Sequence, residues 1–488
     1  MDSVYTRLNT CQSAVGEGYL YAALHLPAGP DTVARRQALA DALAGDEAAR
    51  LAAQMALART GRKRGGDFSR LLFAPDFAVL PFPWAWRLCA ALPAAACCFL
   101  WAPWGPAAAI GAMCLNIALC QWAKARTGRW LEELAYLADV LSAAEGVRRA
   151  LAGPAPAAAD RLGRALADLQ GVRGPLSRFV RAGDGTGGRD LLLDGVNLIF
   201  LLPVLQYLRA VRVLRARGRA LTELFGALGE AELGLCAASF AAGENTCRPQ
   251  WLAENRLEAE DVRHPLVPGA VPNSGTFTRC ALFTGSNASG KSTFLKALAV
   301  NALLAQTLGL CTSRRFSLAA GPVPVVSSMA IADDLLAGES YFVAELKSLL
   351  RAIGRAGRGE KFLYFVDEIL RGTNTDERLA ASQAVLRHLA GTGALCFVAT
   401  HDGELAAALA DVCDNYHFSE AVQDGTVVFD YRLRPGPAQG RNAIRLLGQM
   451  GFPADVVAAA RALAGETLGC GHGGPPDAAG PKPAAEIP

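Results

Sequence analysis

Gly285-Ser286-Asn287-Ala288-Ser289-Gly290-Lys291-Ser292 decides the reading of this chain. It follows Phe277-Thr-Arg-Cys-Ala-Leu-Phe-Thr284, which reads as a strand, and precedes Thr293–Leu308, which reads as a helix. The pattern is G-x-x-x-x-G-K-S in the setting of strand, loop and helix that a phosphate-binding loop requires. The glycines allow the backbone to wrap an anion, and the N–H groups at the helix start point at it. Lys291 is expected to reach the β- and γ-phosphates, and the Ser292 hydroxyl to ligate Mg²⁺. On its own, the same pattern also fits a Gly-rich turn opening an ordinary helix.

Two further segments argue for the phosphate site. Phe362-Leu-Tyr-Phe-Val-Asp367-Glu368 reads as a buried parallel strand ending in two carboxylates. Asp367 is expected in the Mg²⁺ shell, and Glu368 as the group that orients or deprotonates the attacking water. Ala394-Leu-Cys-Phe-Val-Ala-Thr400-His401 reads as a second buried strand, with His401 placed to sense a γ-phosphate or that water. Ligands of open α/β sheets bind at strand C-termini, which is where all three groups would sit.

Outward from this region the chain changes character. The 488 residues suffice for two to four domains. A net charge of +3 is too balanced to predict nucleic-acid binding from charge alone. Apolar residues at 52% and a mean hydropathy of +0.21 prompt a search for membrane segments. The polar Met1–Asn9 does not read as a signal peptide. The 13 cysteines include no C-x-x-C pair and read as buried thiols in a reducing compartment.

From Leu88 to Ala123 there is no charged residue. Trp101-Ala-Pro-Trp-Gly-Pro106 reads as a turn, dividing the run into helices near Trp86–Trp101 and Ala107–Trp122. Each would be about 24 Å long, short against a hydrocarbon core of about 30 Å. Trp84, Trp86, Trp101, Trp104 and Trp122 lie at the helix ends, as an interfacial belt would. Arg87, Lys124 and Arg126 flank one side, which the positive-inside rule makes cytoplasmic. The expectation is a transmembrane hairpin; a buried hairpin or a dimer interface is the alternative. Leu191–Leu208 contains Asp194, Asn197, Pro203 and Gln206 and reads as a core helix, followed by a basic run from Arg209 to Arg219.

Taken together, the motifs resemble those of the MutS family. The resemblance rests on Gly285–Thr293, Ala332-Asp-Asp-Leu-Leu-Ala-Gly-Glu-Ser340-Tyr-Phe-Val-Ala-Glu345, Val366-Asp-Glu-Ile-Leu-Arg-Gly-Thr-Asn-Thr375 and Ala399-Thr-His-Asp-Gly-Glu-Leu405. The third is the most specific, and the L-S-G-G-Q signature of transporter ATPases is absent. The resemblance implies an ATP- and Mg²⁺-dependent ATPase whose two copies dimerise, Ser340 reaching the partner's nucleotide. It assigns ATP binding to Gly285, Ser286, Asn287, Ala288, Ser289, Gly290, Lys291, Ser292 and Thr293. It puts Glu368, His401 and Lys291 in catalysis, and Ser292 and Asp367 on the metal. Arg263-His264-Pro265 resembles the segment entering the ATPase domain near the adenine.

The implied fold is an α/β P-loop NTPase domain of the ABC-like, MutS type. It lies C-terminal to a mostly α-helical core, or lever, domain that carries an inserted apolar hairpin. The expected divisions are 1–80 and 124–255 for the helical core domain, 84–123 for the hairpin and 256–438 for the ATPase domain. Residues 439–466 would form a C-terminal helical dimerisation element, and 467–488 a disordered tail. The family's mismatch-reading and connector domains have no counterpart in the sequence. Ala288-Ser289 stands where Met-Gly is usual, and Tyr341 follows Ser340 where Thr is usual. The expected function is thus a dimeric ATPase in the cytoplasm, anchored in the cytoplasmic membrane, with DNA as the partner the family implies. The alternative is a membrane-anchored, ATP-gated scaffold that binds no DNA.

Overall fold

The computed structural model describes residues 2–61, 71–72, 77–170, 195–286, 288–329, 341–423, 426–437, 444, 447 and 451–469. The chain divides into two units, Met1–Pro268 with Leu298–Pro324, and Gly269–Ala297 with Val325–Pro488.

The first unit is mainly helical. Its elements are α1 (Asp2–Leu8), α2 (Ala14–His25), α3 (Pro30–Gly45), α4 (Glu47–Ala58), α5 (Pro83–Cys97), α6 (Gly105–Leu151), α7 (Pro156–Asp168), α8 (Leu202–Ala216) and α9 (Gly218–Gly243). Strands β1 (Pro249–Leu252) and β2 (Leu257–Val262) follow in sequence. Both pair with β5 (Arg315–Ala319), β1 parallel and β2 antiparallel. Asp46 separates α3 from α4: it ends α3, and its carboxylate caps α4 by accepting from Ala49 N at 2.9 Å.

Buried Glu232 of α9 locks the start of α2. Its carboxylate accepts from the backbone N–H of Gln12 (2.7 Å) and Ser13 (3.1 Å) and from the Ser13 hydroxyl. Burial pushes its carboxyl above the usual range, and those same hydrogen bonds pull it back. Gly16 is required beside it, since a Cβ there would lie 2.4 Å from Glu232 Cδ.

The apolar segment holds two helices, α5 and the N-terminal part of α6, and both depart from the expected bounds. The second helix does not end near Trp122: α6 runs 47 residues, about 70 Å, to Leu151. Hydropathy changes at Lys124, but Lys124–Leu151 is rich in Ala, Leu, Glu and Arg, so helix propensity does not. The first helix likewise stops at Cys97 rather than Trp101. The C-terminal half of α6 is core, with Leu134, Leu137, Val140 and Val147 buried. Its N-terminal part leaves Ile110 63% exposed, and the turn leaves Trp101 83% exposed.

The stretch expected as one core helix at Leu191–Leu208 is described from residue 195. It bends at Leu201 (φ 52°), and α8 starts there with Pro203 in its first turn, where a missing N–H costs nothing. Leu201, Val204 and Tyr207 are buried, as a core helix requires. Buried Asn116 of α6 clips this segment to the hairpin, its Nδ2 donating to Cys89 O (2.8 Å) and Ile199 O (2.7 Å).

The second unit holds β3 (Asn273–Phe277), β4 (Cys280–Thr284), β6 (Val325–Ser328), β7 (Leu363–Asp367), β8 (Leu395–Ala399), β9 (Cys413–Gln423) and β10 (Thr426–Pro435). The expected strand at Phe277–Thr284 is thus two strands, interrupted at Thr278-Arg279. The six-stranded sheet is ordered β10-β9-β4-β8-β7-β6, parallel throughout except for the β9–β10 pair. Every residue of β4 and β8 is buried, which explains their uninterrupted apolar sequences. The helices in sequence are α10 (Lys291–Thr307), α11 (Tyr341–Gly357), α12 (Thr375–Gly391), α13 (Gly403–Ala408) and α14 (Ala454–Gly469), and the division between units falls within α10. The expected disordered tail lies outside the described residues beyond 469. Every cysteine among the described residues is a free thiol.

Candidate nucleotide site

Register brings three motifs level. Ala399 of β8 is the Cα partner of both Phe283 on β4 and Asp367 on β7. The loop after β4, the acidic pair after β7 and the histidine after β8 therefore leave the sheet at the same edge. Thr400 N donating to Phe283 O (3.0 Å) and Glu368 N to Ala399 O (2.9 Å) extend that alignment one residue past the strands.

The loop has the backbone its glycines allow. Gly285 has φ 143° and Gly290 φ 106°, both in the region that disfavours side chains. Space is also limiting: a Cβ on Gly285 would lie 2.7 Å from Phe418 O. Ala288 takes φ 71° without being glycine, a conformation that costs about 1–3 kcal/mol. Lys291 is buried, and its Nζ donates to Gly285 O (2.6 Å) and Ser286 O (2.7 Å). Burial holds its ammonium below its usual pKa, against the pull of Asp367, Glu368 and Glu420. A buried cation facing three carboxylates, in a loop with glycine at both ends, fits a phosphate and a divalent ion. Lys291, with the N–H groups that open α10, would hold the phosphate. Ser292 and Asp367 would hold Mg²⁺, which when bound offsets phosphate charge.

Glu368 is gripped from two sides. His401 Nδ1 lies 3.0 Å from Oε1, and Arg371 Nε pairs with Oε2 at 3.0 Å without hydrogen-bond alignment. Glu368 (φ 62°) and Leu370 (φ 54°) both occupy the left-handed region. Glu345 of α11 helps to hold that turn, accepting from Leu370 N at 2.5 Å. Its carboxyl is pushed up by burial and drawn back by hydrogen bonds from the Leu370 and Arg371 backbones. Asp402 caps α13 through Glu404 N and Leu405 N and pairs with Arg378 at 3.3 Å, fixing the chain just after His401.

The structure therefore brings together Gly285, Ser286, Ala288, Ser289, Gly290, Lys291, Ser292, Thr293, Asp367, Glu368 and His401 in one unit. Asn287 and Ser340 lie outside the described residues. Arg263-His264-Pro265 belongs to the first unit, where Asn301 and Thr312 side chains donate to Arg263 O. Three contributors escaped sequence reading. Glu420 accepts from the Ser286 hydroxyl. Tyr431 stands 3.1 Å from where a Gly290 Cβ would be. Arg371, though within a quoted motif, was given no role. Glu420 and Tyr431 come from the β9–β10 hairpin, far from the loop in sequence and marked by no spacing rule.

Strand order, loop and acidic strand end define a P-loop-type α/β domain. The family model for MutS domain V matches residues 281–467. The DNA mismatch repair protein MutS of Streptococcus sanguinis is 35% identical over 228 residues, which is 44% of this chain and 26% of that protein. MutS of Geobacillus kaustophilus is 34% identical over 45% of this chain and 25% of its own. MutS of Dinoroseobacter shibae is 32% identical over 56% of this chain and 32% of its own. These matches make residues 281–467 similar to MutS domain V and about half of the chain similar to MutS proteins. The chain spans about a quarter to a third of the length of these relatives.

Proposed function

We propose that the second unit binds and hydrolyses Mg²⁺-ATP at Gly285–Thr293 and that two copies complete the site. The observation that carries the reading is the convergence of the Lys291 loop, Asp367, Glu368 and His401 on one sheet edge. Glu368, oriented by His401 and Arg371, takes the proton of the attacking water. Ser340 reaches the partner's nucleotide. A feature of the helix that follows Ser340 supports a dimer: Val343, Leu346 and Leu350 of α11 are exposed, at spacings that share one helix face. Phe452, Val456 and Leu463, at and near α14, offer a second exposed apolar set, suited to the expected C-terminal dimerisation element. Hydrolysis would then switch the helical unit between two arrangements.

The relatives are DNA mismatch repair proteins, and duplex DNA is the load that kinship suggests. Arg209, Arg212, Arg215, Arg217 and Arg219 are all exposed and suit phosphate contacts. Changing Arg212, Arg215 and Arg217 to Glu is expected to abolish a salt-dependent duplex affinity; no duplex binding by the wild type at low salt would refute the DNA reading.

A second reading has its own observation. Phe82, Trp84, Leu88, Leu92, Phe99, Leu100, Trp101, Trp104, Ile110 and Leu115 of the hairpin are exposed. Each large apolar side chain gains about 1.5–3 kcal/mol on leaving water. The N-terminal part of α6 is also long and apolar enough to cross a membrane and is 22% buried, whereas the apolar stretch of α9 is 83% buried and is core. The hairpin then anchors the protein in the cytoplasmic membrane, with the ATPase in the cytoplasm and a membrane scaffold role as the alternative to DNA work. Glu368→Gln, which should bind ATP yet fail to turn it over, tests the common core of both readings.

A further inference from the structure

A groove of about 490 Å³ opens between α5 and the N-terminal part of α6. Its lining is apolar and includes Phe82, Trp86, Cys89, Leu115, Leu119 and Trp122. The indoles of Trp86 and Trp122 stack across it at 6.0 Å and 21°. Trp86 is fixed there, buried and donating from Nε1 to Pro81 O at 2.9 Å. From Trp122 to Leu115 the groove follows α6 for about 10 Å.

The end of this groove at Trp122 is basic. The Arg126 guanidinium lies 4.5 Å over the Trp122 ring. Lys124 lies on another face of α6, beside Cys120, and exposed Arg87 follows Trp86 on α5. From Phe77 to Leu131 the sequence contains no Asp or Glu. Among the described residues none of these three cations has an ion-pair partner, whereas Arg129, one turn on, pairs with Glu133 at 3.8 Å.

We propose that this groove is a binding site for one anionic phospholipid. An acyl chain lies between α5 and α6, and the headgroup phosphate is held by Arg126. The inference rests on the membrane reading above and adds a ligand to it. Charge complementarity selects the occupant: an uncharged apolar molecule would leave Arg126 unused, and an acidic peptide would leave the groove unfilled. Arg126 is suited to the task, since a planar guanidinium stacks on an indole while its N–H groups face a phosphate.

The test uses the full chain in detergent and on vesicles. Thermal unfolding is followed on adding dioleoylphosphatidylglycerol or dioleoylphosphatidylcholine. Flotation is measured with vesicles of phosphatidylcholine alone or with phosphatidylglycerol. The expected result is a rise in Tm of several degrees with phosphatidylglycerol and little with phosphatidylcholine. That selectivity is lost in Arg126→Gln, a surface change that leaves the fold intact, and in Leu119→Trp, which fills the groove. Equal shifts from both lipids, or selectivity retained in Arg126→Gln, overturn the site while flotation upholds the membrane reading. A chain that stays soluble without detergent and floats with neither vesicle sinks the membrane reading itself.

Discussion

The sheet edge of the second unit and the hairpin of the first carry opposite kinds of information. At the sheet edge, a few residues at fixed spacing carry the proposed chemistry; Asp367, Glu368 and His401 sit at or just past strand ends, and Lys291 opens α10. Phe283, Ala399 and Asp367 share one register. In the hairpin no residue is individually informative; thirty-six residues from Leu88 to Ala123 without a charge define the environment instead. A site of the first kind fails by single substitution. A surface of the second kind fails by changes in bulk or charge.

The largest expected effect follows from that contrast. Lys291→Ala removes a buried cation from the phosphate seat. Nucleotide affinity should fall on the order of 100-fold or more, since buried charge-assisted contacts are worth about 2–5 kcal/mol. Equilibrium binding of a fluorescent ATP analogue checks this. The hairpin should tolerate any comparable single change. Only deletion of residues 88–122 is expected to move the protein from the membrane to the soluble fraction. An intact protein already soluble without detergent would erase the contrast.

A third change tests whether the helical unit depends on one buried polar lock. Glu232→Ala strands the Gln12 and Ser13 donors and should cost about 3 kcal/mol or more by denaturant unfolding; Glu232→Gln should cost less. The pH dependence has a definite sign. Burial raises the Glu232 carboxyl in the folded chain. Its contribution is therefore full below the unfolded value of about 4.3 and is lost as pH rises through the folded value. Glu232→Gln should flatten that decline.

The smallest expected effect is at Glu345, which touches no substrate in the proposed mechanism. Glu345→Ala should cost about 1–3 kcal/mol of stability by orphaning the Leu370 N–H. It should also lower kcat with little change in KM, because the Glu368 turn loosens while the Lys291 loop does not. A change confined to KM would assign Glu345 to binding instead.

Legibility followed the same divide. The loop, Asp367-Glu368 and His401 were readable because phosphate chemistry demands particular residues at particular offsets. Glu420 and Tyr431 were not, because they approach the loop through sheet topology, on a hairpin more than 120 residues from it in sequence. In the first unit the hairpin was readable from hydropathy, but the length of α6 was not. Hydropathy reports the solvent around a helix, whereas its end is set by propensity and capping, and neither changes at Lys124. The break at Leu201 followed from Pro203 only once α8 was seen to begin there.

The central claim is that the loop at Gly285–Ser292 and the carboxylate at Glu368 form one working site. Its most direct test is Mg²⁺-dependent ATP hydrolysis by the full chain beside Glu368→Gln, with ATP affinity measured on both. The account predicts turnover by the wild type, with unchanged affinity and turnover lower by roughly 10²–10⁴-fold in the variant. Equal turnover by the two proteins would contradict it.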